Sequence, residues 1–124
     1  KYDQDNGVVP ISGQGVEINI NGSLSTAQLV DLTNALKNIG AEYISINEKR
    51  ITLTTYIDSA IFSTPYKVNA LGNSNLLESA LTRKGGIVEQ IKSKNVSVKV
   101  NKRDMITIPS GETQVFHNAN ILDK

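Results

Sequence analysis

Apolar and polar residues alternate over residues 15–20, where Glu17 and Asn19 separate Val16, Ile18 and Ile20. That is the period of a strand with one buried face. Asn21-Gly22-Ser23 then turns the chain, and Ser25-Thr26-Ala27-Gln28 has the form of a capping box, in which side chains at both ends satisfy each other's free backbone amides. Leu29, Leu32, Leu36 and Ile39 follow at helical spacing, and Gly40 supplies a left-handed stop. Leu32 and Leu36 are therefore expected in the core. Two strands are predicted next, at 42–47 with Ile44 and Ile46 on one face, and at 50–56 with Ile51 and Leu53 on one face. The link Asn47-Glu48-Lys49 is short enough for a hairpin but lacks an Asn-Gly pair. Residues 57–62 have no clear period and read as an irregular edge segment.

After Pro65, a strand at 66–71 places Tyr66, Val68 and Ala70 on one side. Asn73 is a good N-cap, and Leu76, Leu77, Ala80 and Leu81 form the apolar stripe of a second helix. Gly85-Gly86 interrupts that pattern, which resumes with Ile87, Val88 and Ile91 in a helical piece ending near Asn95. Each glycine would cost a continuous helix about 1 kcal/mol, so the pair reads as a turn. Val96, Val98 and Val100 alternate as a strand, and Met105, Ile106 and Ile108 predict another short one. The order is β-α-β-β followed by β-α-β. It predicts a ferredoxin-like α+β domain with a mainly antiparallel mixed sheet, two helices on one face and extra edge strands. The domain is expected over residues 13–109. Residues 110–124 read as a polar tail, or as an added edge strand where Thr113 to Phe116 alternate.

Composition narrows the function classes. In 124 residues, 39% apolar and 20% charged, there is material for one core. No apolar run is long enough to cross a bilayer, and Lys1-Tyr2-Asp3-Gln4-Asp5 does not read as a signal peptide. The absence of cysteine excludes disulfides and thiolate chemistry within this sequence. His117 is the lone histidine, in the polar tail, and no metal-binding or nucleophile motif is present. Gly13-Gln14-Gly15 precedes a strand rather than a helix, so it reads as a turn or bulge and not a phosphate loop. Asn34 and Asn47, polar residues near apolar positions, read as bonding to neighbouring turns. No enzyme activity, catalytic residue, cofactor or metal site is expected.

The net charge is +1, yet Arg83, Lys84, Lys92, Lys94, Lys99, Lys102 and Arg103 crowd into residues 83–103 against Glu89 alone. Such a cluster attracts anionic lipid or polymer, or is simply solvated. Without aromatic residues in the segment, base stacking has no platform, so nucleic acid is not an expected partner. The candidate contact is Arg83, Lys84, Gly85 and Gly86, where amides at a helix start lie beside two cations; the alternative is a plain turn. Strand alternation puts Lys99 opposite the valine face, away from Lys92 and Lys94, and so divides the cluster.

Several stretches carry a resemblance to a known family. They are Gly13-Gln14-Gly15-Val16-Glu17-Ile18, the helix from Leu29 to Leu36 with the following Ile39-Gly40-Ala41-Glu42-Tyr43-Ile44-Ser45-Ile46-Asn47, Arg50, the Thr54-Thr55 pair, and Pro65-Tyr66-Lys67-Val68-Asn69-Ala70-Leu71-Gly72. With Gly85-Gly86 and the closing segment up to Pro109, their order and spacing resemble the bacterial family called domain of unknown function 881, the YlxW-like proteins described as division initiation proteins. The family often reads Asn-Gly-Gln-Arg where this chain has Asn47-Glu48-Lys49-Arg50. It also tends to have a longer hairpin before its proline than Ile61-Phe62-Ser63-Thr64 provides.

The resemblance implies an N-terminal membrane anchor and coiled coil ahead of the domain, with residues 1–12 as the linker that follows them. It implies a cell-membrane protein, single-pass, with this domain extracytoplasmic, in cell division or envelope assembly. The function expected is then a non-catalytic interaction module with protein partners at the cell surface, self-association included. The alternative is a ligand-binding domain for an anionic envelope component near the Gly85-Gly86 turn.

Overall fold

The computed structural model describes residues 9–51, 57 and 62–110. Its elements run β1 (Ile11–Asn21), α1 (Thr26–Ile39), β2 (Tyr43–Ile46), β3 (Lys49–Ile51), β4 (Tyr66–Leu71), α2 (Ser74–Thr82), α3 (Ile87–Ile91) and β5 (Ser97–Ile108). The strands form one sheet in the order β3-β2-β4-β1-β5, with every neighbouring pair antiparallel. Strands β2, β4, β1 and β5 keep the ferredoxin-like order, and β3 is the extra edge strand. The α+β class and antiparallel sheet are as the sequence pattern predicts, and the helical piece expected after Gly85-Gly86 is the separate helix α3.

Local chemistry explains the elements. Ser25 Oγ accepts from the Gln28 amide at 3.1 Å and Gln28 Oε1 accepts from the Ser25 amide at 2.9 Å, so the capping box closes. Gly40, at φ 118°, ends α1 by donating to the Leu36 and Lys37 carbonyls. Val16, Ile18 and Ile20 pack with Ile44, Ile46, Val68 and Ala70 against Leu29, Leu32, Leu36, Leu77, Leu81, Val88 and Ile91. The helices thus cover one face of the sheet. Leu76, expected in the α2 stripe, is 54% exposed, because its position is turned about 100° from that of buried Leu77.

Three boundaries depart from the sequence pattern. The strand expected at 15–20 begins at Ile11, since Ile11, Ser12 and Gly13 pair with Ile108, Thr107 and Ile106. The strands expected at 96–100 and 105–108 are one, β5. The polar run Asn101 to Asp104 hides its continuity, and a register shift opposite Gly13–Gly15 resets the alternation. The bulge expected at the glycines is this shift. Gly15 also lets β1 approach β4, because a Cβ there would collide with the Ala70 carbonyl. Finally, α3 stops at Ile91 because Ser93 and Val96 exchange backbone hydrogen bonds of 3.0 and 3.3 Å in a tight turn. The expected strand residues 52–56, most of the segment 57–62, the 113–116 segment and His117 lie outside the described residues.

The β2–β3 hairpin closes through Asn47 and Glu48, both left-handed at φ 51° and 70°, the conformation of a two-residue type I′ turn. Asn47 tolerates it and is tied down, its side chain donating to Ser63 O at 3.0 Å and accepting from the Lys67 amide at 2.8 Å. Glu48 carries the strain of an L-residue there. We expect Glu48→Gly to raise stability by about 0.5 kcal/mol, the roughly 1–2 kcal/mol of relieved strain exceeding glycine's entropic cost of about 0.5–1 kcal/mol; Glu48→Ala should give no gain. Leu32→Ala or Leu36→Ala, at sites 1% and 0% exposed, should cost about 2–5 kcal/mol. Urea unfolding checks both.

Candidate functional site

The sheet has a second face, and its polar residues line up across the strands. Register places Arg50 beside Ser45, Ser45 beside Asn69, Asn69 beside Glu17, and Glu17 beside Asn101. Part of this row is buried, with Arg50 at 1%, Ser45 at 0% and Asn69 at 6% exposure. What covers it is the far end of the sheet itself. Leu71, Ile106 and Ile108 form a second apolar cluster, packed with Ile11 and Tyr43. The ribbon made by the start of β1 and the end of β5 has therefore curled over the face opposite the helices.

Arg50 locks that ribbon. Its Nε donates to Pro109 O at 3.0 Å, and its Nη2 donates to Val9 O at 2.6 Å and to Ile108 O at 3.3 Å. Arg50 lies on β3 and Ile108 on β5, opposite edges of the sheet. Four strand spacings would put those edges about 19 Å apart on a flat sheet, well beyond a side chain's reach, so the contact requires the curl. The guanidinium also lies 5.6 Å from the Tyr43 ring centroid, within cation–π range. Burial pushes its pKa down, and Tyr43 opposes the shift; an arginine remains charged regardless. Beside it, Ser45 Oγ and Asn69 Oδ1 are buried without a hydrogen-bond partner among the described residues.

The residues singled out by sequence behave differently. Arg83, Lys84, Gly85 and Gly86 do come together in one turn, with Gly85 at φ 78°. The two glycine amides, however, have partners inside the chain. Gly85 N–H donates to Glu89 Oε1 at 2.9 Å, and Gly86 N–H donates to Arg83 O at 2.9 Å. Gly86 is packed against the carbonyls of Arg83, Ala80 and Leu81, and the helix that follows has five residues. Glu89 thus occupies the place an external anion would take at Gly85.

The basic cluster is divided, as the alternation predicts. Lys99 and Arg103 pair with Asn19 and Gly15 on the helix-free face, while Lys102 pairs with Val16 on the other. Lys102 reaches Asn75 Oδ1 at 3.0 Å and Glu78 at 3.8 Å on α2. Arg103 meets Glu17 at 2.7 Å. What the sequence pattern missed is Arg50. Alternation places it opposite Ile51, on the face expected to be wet, and nothing local signals that a distant ribbon returns to cover it.

These features define an antiparallel α+β domain of ferredoxin-like topology whose two ends are fastened by a buried arginine. The chain belongs to the family described as bacterial protein of unknown function (DUF881), whose pattern matches residues 1–120. It is 26% identical over 124 residues to UPF0749 protein YlxW of Bacillus subtilis (strain 168), a match covering 82% of this chain and 54% of that protein. It is likewise 26% identical over 118 residues to UPF0749 protein Rv1825 of Mycobacterium tuberculosis (strain ATCC 25618 / H37Rv), covering 82% of this chain and 40% of the relative. The chain therefore spans about half, or less, of the curated relatives it matches. The crystal structure of an uncharacterized conserved protein from Mycobacterium tuberculosis shares the fold, with a TM-score of 0.75 at 26% identity over 85% of each chain.

Removing the guanidinium takes the partner from one buried and two part-buried carbonyls, and breaking a buried charged contact costs about 3–5 kcal/mol, so Arg50→Met should lower stability by about that amount. Chemical denaturation measures this, and Arg50→Lys should recover only part of the loss because one ammonium does not reproduce the planar fork. The divided cations lead to a second expectation. Binding to anionic vesicles should be weak and should vanish near physiological ionic strength, where the screening length is about 8 Å. Co-sedimentation across a salt series reads it directly.

Proposed function

We propose that this chain is a non-catalytic interaction module, the extracytoplasmic part of a membrane-anchored bacterial protein that acts in cell division or envelope assembly. The observation that carries this reading is the helix-free sheet face beyond the ribbon. There Asn19, Lys99 and Arg103 are exposed, and Glu17, Lys67 and Asn101 are half-buried. Backbone pairing on three strands holds these side chains in fixed register. A rigid, polar, patterned surface of this kind suits recognition of a partner, since sites built on strands hold their geometry better than sites on loops.

The position of the chain ends supports the same reading. Val9 and Pro109 meet on Arg50, so the first and last parts of the described chain lie at one corner. From there β1 runs eleven residues to Asn21, a length of roughly 35 Å. A domain hung by that corner holds its far end away from its tether. The family resemblance, with its anchor and coiled coil, supports attachment on the N-terminal side, and the matched relatives have chain beyond the part they share with this one.

Photo-crosslinking of the membrane-anchored, full-length protein in cells tests the proposal. A photoreactive residue at Asn101 or Arg103 should give a discrete protein adduct, whereas one at exposed Lys37 on α1 should give none. Equal adducts from both faces, or none from either, would contradict it.

A further inference from the structure

At the end of the sheet remote from Arg50, the helix-free face carries a hollow of about 350 Å³. Asn19, Asn21, Pro65, Lys67, Ser97 and Lys99 line it. These residues are brought together by register and not by sequence proximity. Asn19 pairs with Lys67 on one side and Lys99 on the other, and Asn21 pairs with Ser97. The two lysines therefore flank one asparagine with their backbones about 10 Å apart.

The cations here are not equivalent. On β4 and β5, Lys67 has Glu48 at 3.1 Å, Lys102 has Glu78 at 3.8 Å and Arg103 has Glu17 at 2.7 Å. Lys99 has no carboxylate among the described residues. Nor do the side chains of Asn19, Asn21 or Ser97 hydrogen-bond to any described residue. One ammonium, two carboxamides and a hydroxyl thus share one hollow with their capacity unspent. This contrasts with the Gly85-Gly86 turn, whose amides are consumed within the chain.

We propose that this hollow binds an anionic carbohydrate or polyol, a ligand with one carboxylate or phosphate flanked by hydroxyl groups. Lys99 meets the anion, with Lys67 as the second cation. Each carboxamide both donates and accepts, which matches hydroxyls that do the same, and the exposed Pro65 ring offers an apolar surface to carbon-bound hydrogens of the ligand. An extended peptide fits less well, because a sheet face offers side chains and not the unpaired backbone that strand addition needs. That the hollow lies far from the tethered corner, and so faces outward, rests on the function proposed above; the binding chemistry does not.

The test is an amide and side-chain NMR titration of this chain with methyl glucuronide, glycerol 3-phosphate, glucose and inorganic phosphate as separate probes. Either hydroxylated anion should produce saturable shifts confined to Asn19, Asn21, Lys67, Ser97 and Lys99, and which of the two binds tighter identifies the anion. Glucose and inorganic phosphate should each bind about tenfold weaker, since each lacks one half of the recognition, and Lys99→Gln should weaken the anions by about the same factor, as loss of a charge-assisted hydrogen bond implies. Lys99 is exposed, so Lys99→Gln should leave the melting temperature unchanged. No saturable shift from either hydroxylated anion, shifts spread to Arg83, Lys84 and Lys102, indifference to Lys99→Gln, or inorganic phosphate binding as tightly as the hydroxylated anions would each overturn the proposal. Loss of the protein adduct at Arg103 with this titration intact would instead reject only the interaction module.

Discussion

A guanidinium removed from water must find acceptors for its donors, or the fold bears a desolvation cost of several kcal/mol. In this domain that requirement falls on Arg50, which is 1% exposed. The acceptors it uses include the backbone carbonyls of Val9, Ile108 and Pro109, contributed by the first and last parts of the described chain. Without the arginine the buried Ile108 carbonyl and the part-buried Val9 and Pro109 carbonyls would each lose that donor. Each side of the contact therefore makes the other's burial tolerable, and a residue on one edge strand fixes the course of the opposite edge.

The consequences spread through the sheet. Curling the β1–β5 ribbon buries Ile106 and Ile108 against Leu71 and Tyr43, giving one end of the sheet apolar packing on both faces. At the other end the face stays open and polar. Gly15 sits where the strands leave the regular sheet, and its lack of a side chain allows β1 to pass close to Ala70. The result is a domain with a fastened, two-sided end and an open, one-sided end. Both proposals draw on that asymmetry.

Much of this fold is legible in the sequence because its helices and inner strands obey local rules. The Ser25–Gln28 box, the Gly40 stop and the valine and isoleucine alternation each act within a few residues, and each is where the pattern puts it. Long-range closure left no such trace. Ile11 to Gly13 become strand only because Ile106 to Ile108 pair with them, and Arg50 becomes core only because that ribbon returns. The Gly85-Gly86 turn is legible as a turn, whereas Glu89, four positions on, takes the amide that made the turn look like an anion site. The hollow at Asn19 has the same character as the ribbon. Alternation faces Asn19, Lys67 and Lys99 outward, but only the strand order makes them neighbours.

The central claim is that the ribbon is integral to the fold and held by Arg50, and native-state hydrogen exchange in increasing denaturant measures it most directly. If the claim holds, amides of the paired ribbon residues around Gly13 and Ile106 exchange only through global unfolding, with the same free energy as the central-strand amides of Ile18 and Val68. Ribbon amides that open several kcal/mol below the central strands, independently of denaturant while the sheet stays protected, would contradict it.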